Sequence, residues 1–539
     1  MSYFTSIETF FVVPLDMSDE EIRKINFLLQ ILERSGVGDL IKERNYKSSY
    51  YGRKSYDPYK LFVSIIYCFA MHKGTLRNTE EMIRYDLRLN YILNQETPSY
   101  KTIMEFINEV IVPDAYRIFT KITDAIIAEL GINIDDQYLD GTKIEANANK
   151  YKYVTKPRKR WENLDKKIKC LFELFDESCY VNDRRTTSVE LSLAIKKYAK
   201  KENIDVYHLP SGKGSRLSKQ QRLVKLAYVY LDKLLEYEEK EVICGPDRNS
   251  YYKTDHDATM MALKTDYYSG HGSNMHAAYN VQFLVSSGFI TFFGVYQDRS
   301  DYHTLVPLLE KYEFYYGSYP VNLCADSGYG IYSNYEYLDK HHINNYVKFL
   351  NWNGESSGKN PQRFFLNEKE SGFLCLKGNK GKETPFDPSH HQRKKHSRLY
   401  RFHGCLQCPY EYKCREKTKG RDLDHRLAEL SVKEEKYKKE ARENLLSIRG
   451  IEIRVNRSIQ AEGSFGELKQ NMGYVRLRRR GMKNVIAEIM LMCLGINVRK
   501  LFSIYKKKKM NDRFWKANKE TKQQIFPSVK PKKKGLVTS

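Results

Sequence analysis

AAYNVQFLVSSGFITFFGVYQ (residues 277–297), followed by HTLVPLLEKY (303–312) and VNLCADSGYG (321–330), carries the reading that decides the fold. The first run contains two apolar segments of strand length joined at Ser286–Gly288, a pattern that predicts paired strands. HTLVPLLEKY reads as a helix, and VNLCAD as a strand ending in a glycine-rich turn. Strand, strand, helix, strand is the order of a mixed α/β sheet. Upstream, INIDDQYLDGTKIEA (132–146) shows the alternation of another short strand. The expected class is therefore α/β and multi-domain.

The flanking sequence differs in character. From Ser18 to about Leu130 the pattern is helical, with Ser18 as an N-cap candidate and a largely apolar helix opening at Asp57–Pro58. Lys60, Lys73, Arg77, Arg84 and Arg88 are candidate phosphate contacts on its faces. A basic stretch over roughly 155–243 repeats apolar residues at helical spacing, first Trp161, Leu164, Ile168, Leu171 and Phe175, then Leu223, Leu226, Leu231 and Leu234. It reads as a helical insertion with a loop, LPSGKGSRLSKQQR, between its halves. Residues 340–450 form a second insertion, polar and cysteine-bearing. Two helices follow, RSIQAEGSFGELKQNM (457–472) and NVIAEIMLMCLGINVRKLF (484–502), separated by the basic YVRLRRRGMK (474–483). The lysine-rich tail is expected to be disordered.

At 539 residues the chain exceeds what one core usually supports, so three or four units are expected. Ninety-one Lys and Arg residues against 67 Asp and Glu leave a net charge of +24. An excess of that size favours a polyanionic partner, nucleic acid before others. No apolar run is long enough to span a membrane, and the first residues lack the build of a secretory signal. Scattered single cysteines then read as reduced thiols, so a cytoplasmic location is expected.

Carboxylates mark the candidate chemistry. Asp140 closes the strand-like QYLD before Gly141, and Asp326 closes VNLCAD before Ser327–Gly328. Both follow apolar runs and precede small residues, where a side chain projects from a sheet edge into a cleft. Two-metal phosphoryl transfer needs such carboxylates on rigid elements that meet in space. For a third acid the helix offers Glu462 and Glu467, which point about 140° apart. Glu462 shares a face with Lys469 two turns on and follows Arg457, a pattern that suits a metal-binding carboxylate beside phosphate-binding cations. Asp255 and Asp257 of TDHDATMM are either further ligands or, as the preferred reading, turn or substrate-contact residues.

Cys405-x2-Cys408-x5-Cys414, with Cys375 upstream, offers four soft ligands for a structural zinc ion, and His403 is an alternative to one of them. Metal would help so polar a segment to fold. In YVRLRRRGMK, Arg476, Arg478, Arg479 and Arg480 suit phosphate contacts that give affinity without sequence information.

YLDGTKIEANANKY, TDHDATMM, YNVQFLV, ADSGYG and RSIQAEGSFGELKQNMGYVRLRRRG together resemble the ordered motif series of DDE transposases from bacterial insertion sequences. The closer similarity is to the branch with an InsH-like N-terminal helical domain and a cysteine-bearing insertion, and it runs from about residue 20 to 502. The resemblance implies an RNase H-like catalytic core in which Asp140, Asp326 and Glu462 hold two Mg²⁺ (or Mn²⁺) ions. It assigns Lys469 to DNA phosphate. Many relatives carry an arginine four residues before the glutamate; here Ser458 stands there and Arg457 lies one earlier. The implied reaction is cleavage of double-stranded DNA at the element's terminal inverted repeats, then in-line attack of the freed 3′-hydroxyl on target DNA, by a homodimer that synapses two ends.

The expected organisation is a helical, DNA-binding domain over 1–130, core segments at 131–150, 251–340 and 451–503, a basic insertion at 151–250, a cysteine-bearing insertion at 341–450, and the tail at 504–539. The alternatives are a metal-dependent nuclease without strand transfer and an inactive zinc-containing DNA-binding protein.

Overall fold

The structure, a computed structural model, describes residues 19–44, 55–177, 180–208, 217–263, 275–367, 372–386, 396–415 and 423–506. Ser18, most of the loop inside the first insertion and the tail beyond residue 506 lie outside the described residues.

Among the described residues, seven α-helices come first: α1 (Asp19–Arg34), α2 (Val37–Glu43), α3 (Pro58–Ala70), α4 (Leu76–Tyr85), α5 (Leu87–Leu93), α6 (Tyr100–Phe106) and α7 (Ala115–Leu130). Strands β1 (Asp136–Glu145) and β2 (Tyr153–Thr155) precede helices α8 (Arg158–Leu174), α9 (Ser188–Lys201) and α10 (Lys219–Cys244). Then come β3 (Ser250–Tyr252), β4 (Thr259–Ala262), β5 (Met275–Ser286), β6 (Phe289–Tyr296), α11 (Leu305–Tyr316), β7 (Asn322–Ala325), α12 (Tyr332–Lys340) and β8 (Asn344–Val347). The cysteine-bearing segment contributes α13 (Trp352–Ser356), β9 (Phe364–Asn367), β10 (Gly372–Cys375), β11 (Lys382–Thr384), β12 (Arg398–His403), α14 (Glu411–Arg415) and β13 (His425–Leu430). Helices α15 (Val432–Leu446), α16 (Ile448–Gly466) and α17 (Met482–Lys506) close the described chain, with a π-helical turn at Glu467–Asn471 directly after α16.

Two compact units emerge. One comprises described residues of 1–142, 280–475 and 483–539, the other those of 143–279 and 476–482. In the first, α3 starts where expected: Asp57 accepts hydrogen bonds from the amides of Tyr59 and Lys60, and Pro58 fills the first helical position. Every residue from Leu61 to Ala70 is buried, which makes α3 a central helix without a solvent face. Arg84 pairs with Glu80 at 2.7 Å, and Arg88 with Asp86 at 2.6 Å. These two cations of the expected phosphate-binding set are thus engaged within the bundle.

The sheet sets the geometry that matters. β5 and β6 pair antiparallel through a two-residue turn in which Ser287 and Gly288 both have positive φ, 52° and 78°. That is the turn whose twist matches a hairpin, and it justifies the glycine. β1, β7 and β8 are parallel neighbours, with Asp136 opposite Asn322 and Tyr138 opposite Cys324. Taken across the sheet, the order runs β6, β5, β1, β7, β8. Leu139, Leu284, Phe292, Leu323 and Ala325 from the strands pack with Leu305, Leu308 and Leu309 of α11 into one buried cluster. Burial of that apolar area drives the layer together.

In the second unit the described residues of 158–244 form α8, α9 and α10. Trp161, Leu164, Ile168, Leu171 and Phe175 are buried together with Leu191, Ile195 and Leu234. Capping boxes start α9 (Thr187 with Glu190) and α10 (Ser218 with Gln221). Leu226 departs from the expected stripe: it faces outward, 40 % exposed. No helix among the described residues is long and apolar enough to cross a membrane.

Candidate active site

The site grows from the sheet. The register pairs Tyr138 with Cys324 and ends there; two residues further on lie Asp140, still within β1, and Asp326, the first residue after β7. Neighbouring strands lie about 4.8 Å apart, and the two carboxylates are near enough for the charge of Asp326 to act on Asp140. Asp140 Oδ1 accepts from the Gly141 amide (2.9 Å), and Asp326 Oδ1 from the Gly328 amide (2.8 Å). Glycine is needed at 141 for close approach: a Cβ there would lie 2.3 Å from Gln282 Nε2.

A third carboxylate joins them that the sequence reading did not single out. Asp301 stands in the loop between β6 and α11, and its Oδ2 lies 3.5 Å from the point a Cβ of Gly328 would occupy; Asp326 Oδ1 lies 3.0 Å from the same point. The two oxygens are thus no further apart than those distances combined. Burial, followed by the charges of Asp326 and Asp301, raises the Asp140 carboxyl to about 6, against the pull of Arg457 and the Gly141 amide. Lys348, directly after β8, is pushed below the usual lysine range by burial and by Arg457, with Asp326 pulling the other way.

Arg457 does not face outward as a DNA contact would. It is buried, 8 % exposed, on α16, with Nη1 3.5 Å from Asp140 Oδ2 and without a hydrogen-bond partner. Glu462 lies five residues on, so it points about 140° from Arg457. It is exposed, and its hydrogen bond is to Ser458 (3.3 Å). The structure therefore brings Asp140 and Asp326 together and leaves Glu462 turned away on the same helix that reaches Asp140. Glu467, the other acid considered, binds His72 Nε2 at 2.9 Å and Arg499 Nε at 3.4 Å. Lys469, on the π-helical turn, donates to Thr142 Oγ1 at 2.6 Å, two residues from Asp140.

In the smaller unit, the remaining basic candidates serve partly internal roles. Arg476 donates to the carbonyls of Ala146 and Ala148, and Arg480 to that of Asn147. Arg478 is exposed and Arg479 half-buried. Asp255 and Asp257 act as a backbone clamp: Asp255 accepts from Tyr279 Oη (2.9 Å) and the Gly481 amide (3.2 Å), and Asp257 from the Met482 amide (2.7 Å). The turn role is the one their contacts support. They fasten the end of the arginine-rich segment.

Cys375, Cys405, Cys408, Cys414 and His403 line one pocket of the cysteine-bearing segment. Two tight turns present the sulfurs. The Gly378 amide donates to the Cys375 carbonyl (2.8 Å), and the Cys408 amide to the Cys405 carbonyl (3.3 Å). Arg426 Nη1 sits 2.6 Å from Cys414 Sγ. Among the described residues, no three His, Cys, Asp or Glu side chains are grouped as they would be around a metal ion.

Residues 374–502 match the family model of a transposase DDE domain. That span holds all four cysteines, Arg457, Glu462 and Lys469; Asp140 and Asp326 fall outside it. No curated protein and no solved structure matches the chain. The match supports a DDE transposase, a class of enzyme acting on DNA.

Proposed function

We propose that the chain is the transposase of a bacterial insertion sequence, with an RNase H-like core, which cuts DNA at the element's ends and joins the freed 3′-hydroxyl to target DNA. The observation that carries this reading is the pair Asp140–Asp326, on β1 and directly after its parallel neighbour β7, in a chain whose C-terminal part matches a transposase DDE domain. The donor set suits a divalent cation: Asp140 and Asp326 supply two carboxylates within reach of each other's charge, and Asp301 stands beside Asp326. Asp140, Asp326 and Glu462 would hold Mg²⁺ or Mn²⁺, which supplies activation of the attacking oxygen and stabilisation of the leaving one. Magnesium commonly takes only one or two protein carboxylates before substrate phosphates arrive, so two in place suit the DNA-free protein.

Glu462 would join the pair by a turn of α16 about its axis. Two features of the helix support this. Ile448, Ile451, Val455 and Ile459 are 70, 48, 53 and 67 % exposed and lie on the same face as Glu462. The opposite face carries Arg457, whose guanidinium partly offsets the charge of Asp140 in the absence of metal. Turning the helix would bury the apolar stripe, bring Glu462 towards Asp140 and release Arg457 to phosphate. Lys469 and Arg478 would steady the DNA backbone, as charge-assisted contacts do. The four cysteines would hold a structural zinc ion, supported by their shared pocket and turn-borne sulfurs. Two ends must be held at once, so the acting species would be a homodimer.

An Mg²⁺-dependent assay on DNA carrying the element's own ends tests the reading. Joined products support a transposase; hydrolysed ends without joining would make it a nuclease, and absence of both would leave a DNA-binding protein.

A further inference from the structure

We infer that Asp301 is a positioning residue of the acid pair, and that a buried amide network holds it there. The inference rests on the proposed metal-dependent function and adds a residue to its machinery. Asn280 and Gln282 are fully buried polar residues on β5, in the interior of the sheet. Each needs a partner, because an unpaired buried amide costs about 1–3 kcal/mol. Both find it in Asp301: Asn280 Nδ2 donates to Oδ1 at 2.8 Å and Gln282 Nε2 at 2.9 Å. Gln282 Nε2 also reaches Asn280 Oδ1 at 2.8 Å, and its Oε1 accepts from Tyr329 Oη. The same Gln282 amide packs against Gly141, beside Asp140, while Tyr329 lies three residues beyond Asp326. One network therefore touches the chain next to both aspartates.

The geometry assigns the two oxygens of Asp301 different tasks. Oδ1 is saturated by amides. Oδ2 turns to Gly328, sharing with Asp326 Oδ1 the space that a side chain at 328 would fill. Two carboxylates at one site repel each other unless a cation compensates, and a purely structural partner for two amides would serve as well uncharged. An independent sign that positive charge is favoured beside the pair is the buried Arg457, whose Nη1 lacks a hydrogen-bond partner and lies 3.5 Å from Asp140 Oδ2. Asp301 adds negative charge behind the pair and fixes the spacing of its members, which raises affinity for a divalent cation without Asp301 ligating it.

Asp301→Asn separates the roles, since its amide oxygen still accepts from Asn280 and Gln282. Mn²⁺ titration of the DNA-free protein, followed by loss of the free-ion electron paramagnetic resonance signal, reads binding without turnover. Asp301→Asn is expected to weaken Mn²⁺ binding about tenfold or more, the range for outer partners of a metal site, while its melting temperature stays near the parent's. Asp140→Asn and Asp326→Asn are expected to abolish binding. Parent-like Mn²⁺ affinity in Asp301→Asn, with binding lost in the other two, overturns the role of Asp301 and leaves the metal function standing. Binding that survives in both Asp140→Asn and Asp326→Asn, or its absence from the parent, overturns the metal function and this inference with it.

Discussion

Asp140 lies on β1 two residues beyond Tyr138, and Asp326, 186 residues later in the chain, directly follows β7, two residues beyond Cys324, the parallel partner of Tyr138; the charge of Asp326 reaches the Asp140 carboxyl. Asp301 stands beside Asp326, on the other side of the space that a Cβ of Gly328 would fill. The consequences are measurable.

Replacing Asp326 by Asn keeps its shape and removes its charge. Cleavage of end-bearing DNA is expected to vanish, while DNA affinity stays within about threefold, because affinity for DNA comes mainly from Lys and Arg contacts to phosphate. Gel-shift and cleavage assays on the same preparation check both halves.

Asp140 carries a stability signature. Its folded carboxyl is raised to about 6, by burial first and then by Asp326 and Asp301. An unfolded aspartate releases its proton near 3.9. Between those values the folded state binds more protons, so its stability falls as pH rises from about 4 to 6 and is not regained above. At neutral pH, metal-free Asp140→Asn should therefore be more stable than the parent, by on the order of 2 kcal/mol. Thermal melts with EDTA read this, and added Mg²⁺ should narrow the gap by stabilising the parent alone. A less stable Asp140→Asn would contradict the electrostatic account.

The apolar stripe of α16 distinguishes resting from active arrangements. Val455→Ser with Ile459→Ser should leave the metal-free melting temperature nearly unchanged, since both residues are exposed. If turning α16 buries them, each loses about 1–2 kcal/mol in the active form, and cleavage should fall at least about tenfold. Undiminished cleavage would exclude the turn.

Zinc is open to direct assay. The purified chain should contain one zinc ion, lost in Cys405→Ser and Cys408→Ser variants and on treatment with a strong chelator. The variants should also expose the cysteine-bearing segment to protease, because metal-ligand energy is folding energy in so polar a region. Zinc-free protein with an intact segment would refute the assignment.

Much of this was legible in the sequence for local reasons. Strands β5, β6 and β7 are apolar runs, and Asp326 stands just where the last of them ends; Asp140, expected to close its strand, lies inside β1, which continues past Gly141 to Glu145. Asp301 was not legible. It lies in DRSDYH, which has no periodicity, and its meaning depends on two amides of β5 that face it only after the sheet has formed. Arg457 was expected to meet DNA, yet α16 buries the face it lies on and turns it to Asp140. Arg476 and Arg480 read as phosphate contacts from the sequence; what the sequence did not show is that each also donates to backbone carbonyls of residues 146–148. Composition reports charge; it does not report which charges the fold uses internally.

The most direct test is diffraction from crystals of the protein with Mn²⁺ and end DNA, recorded at the manganese absorption edge. The account predicts anomalous peaks within about 2.3 Å of carboxylate oxygens of Asp140 and Asp326, with Glu462 turned in to complete the set. Manganese bound elsewhere in a complex that cleaves DNA, with these carboxylates free of metal, would contradict it.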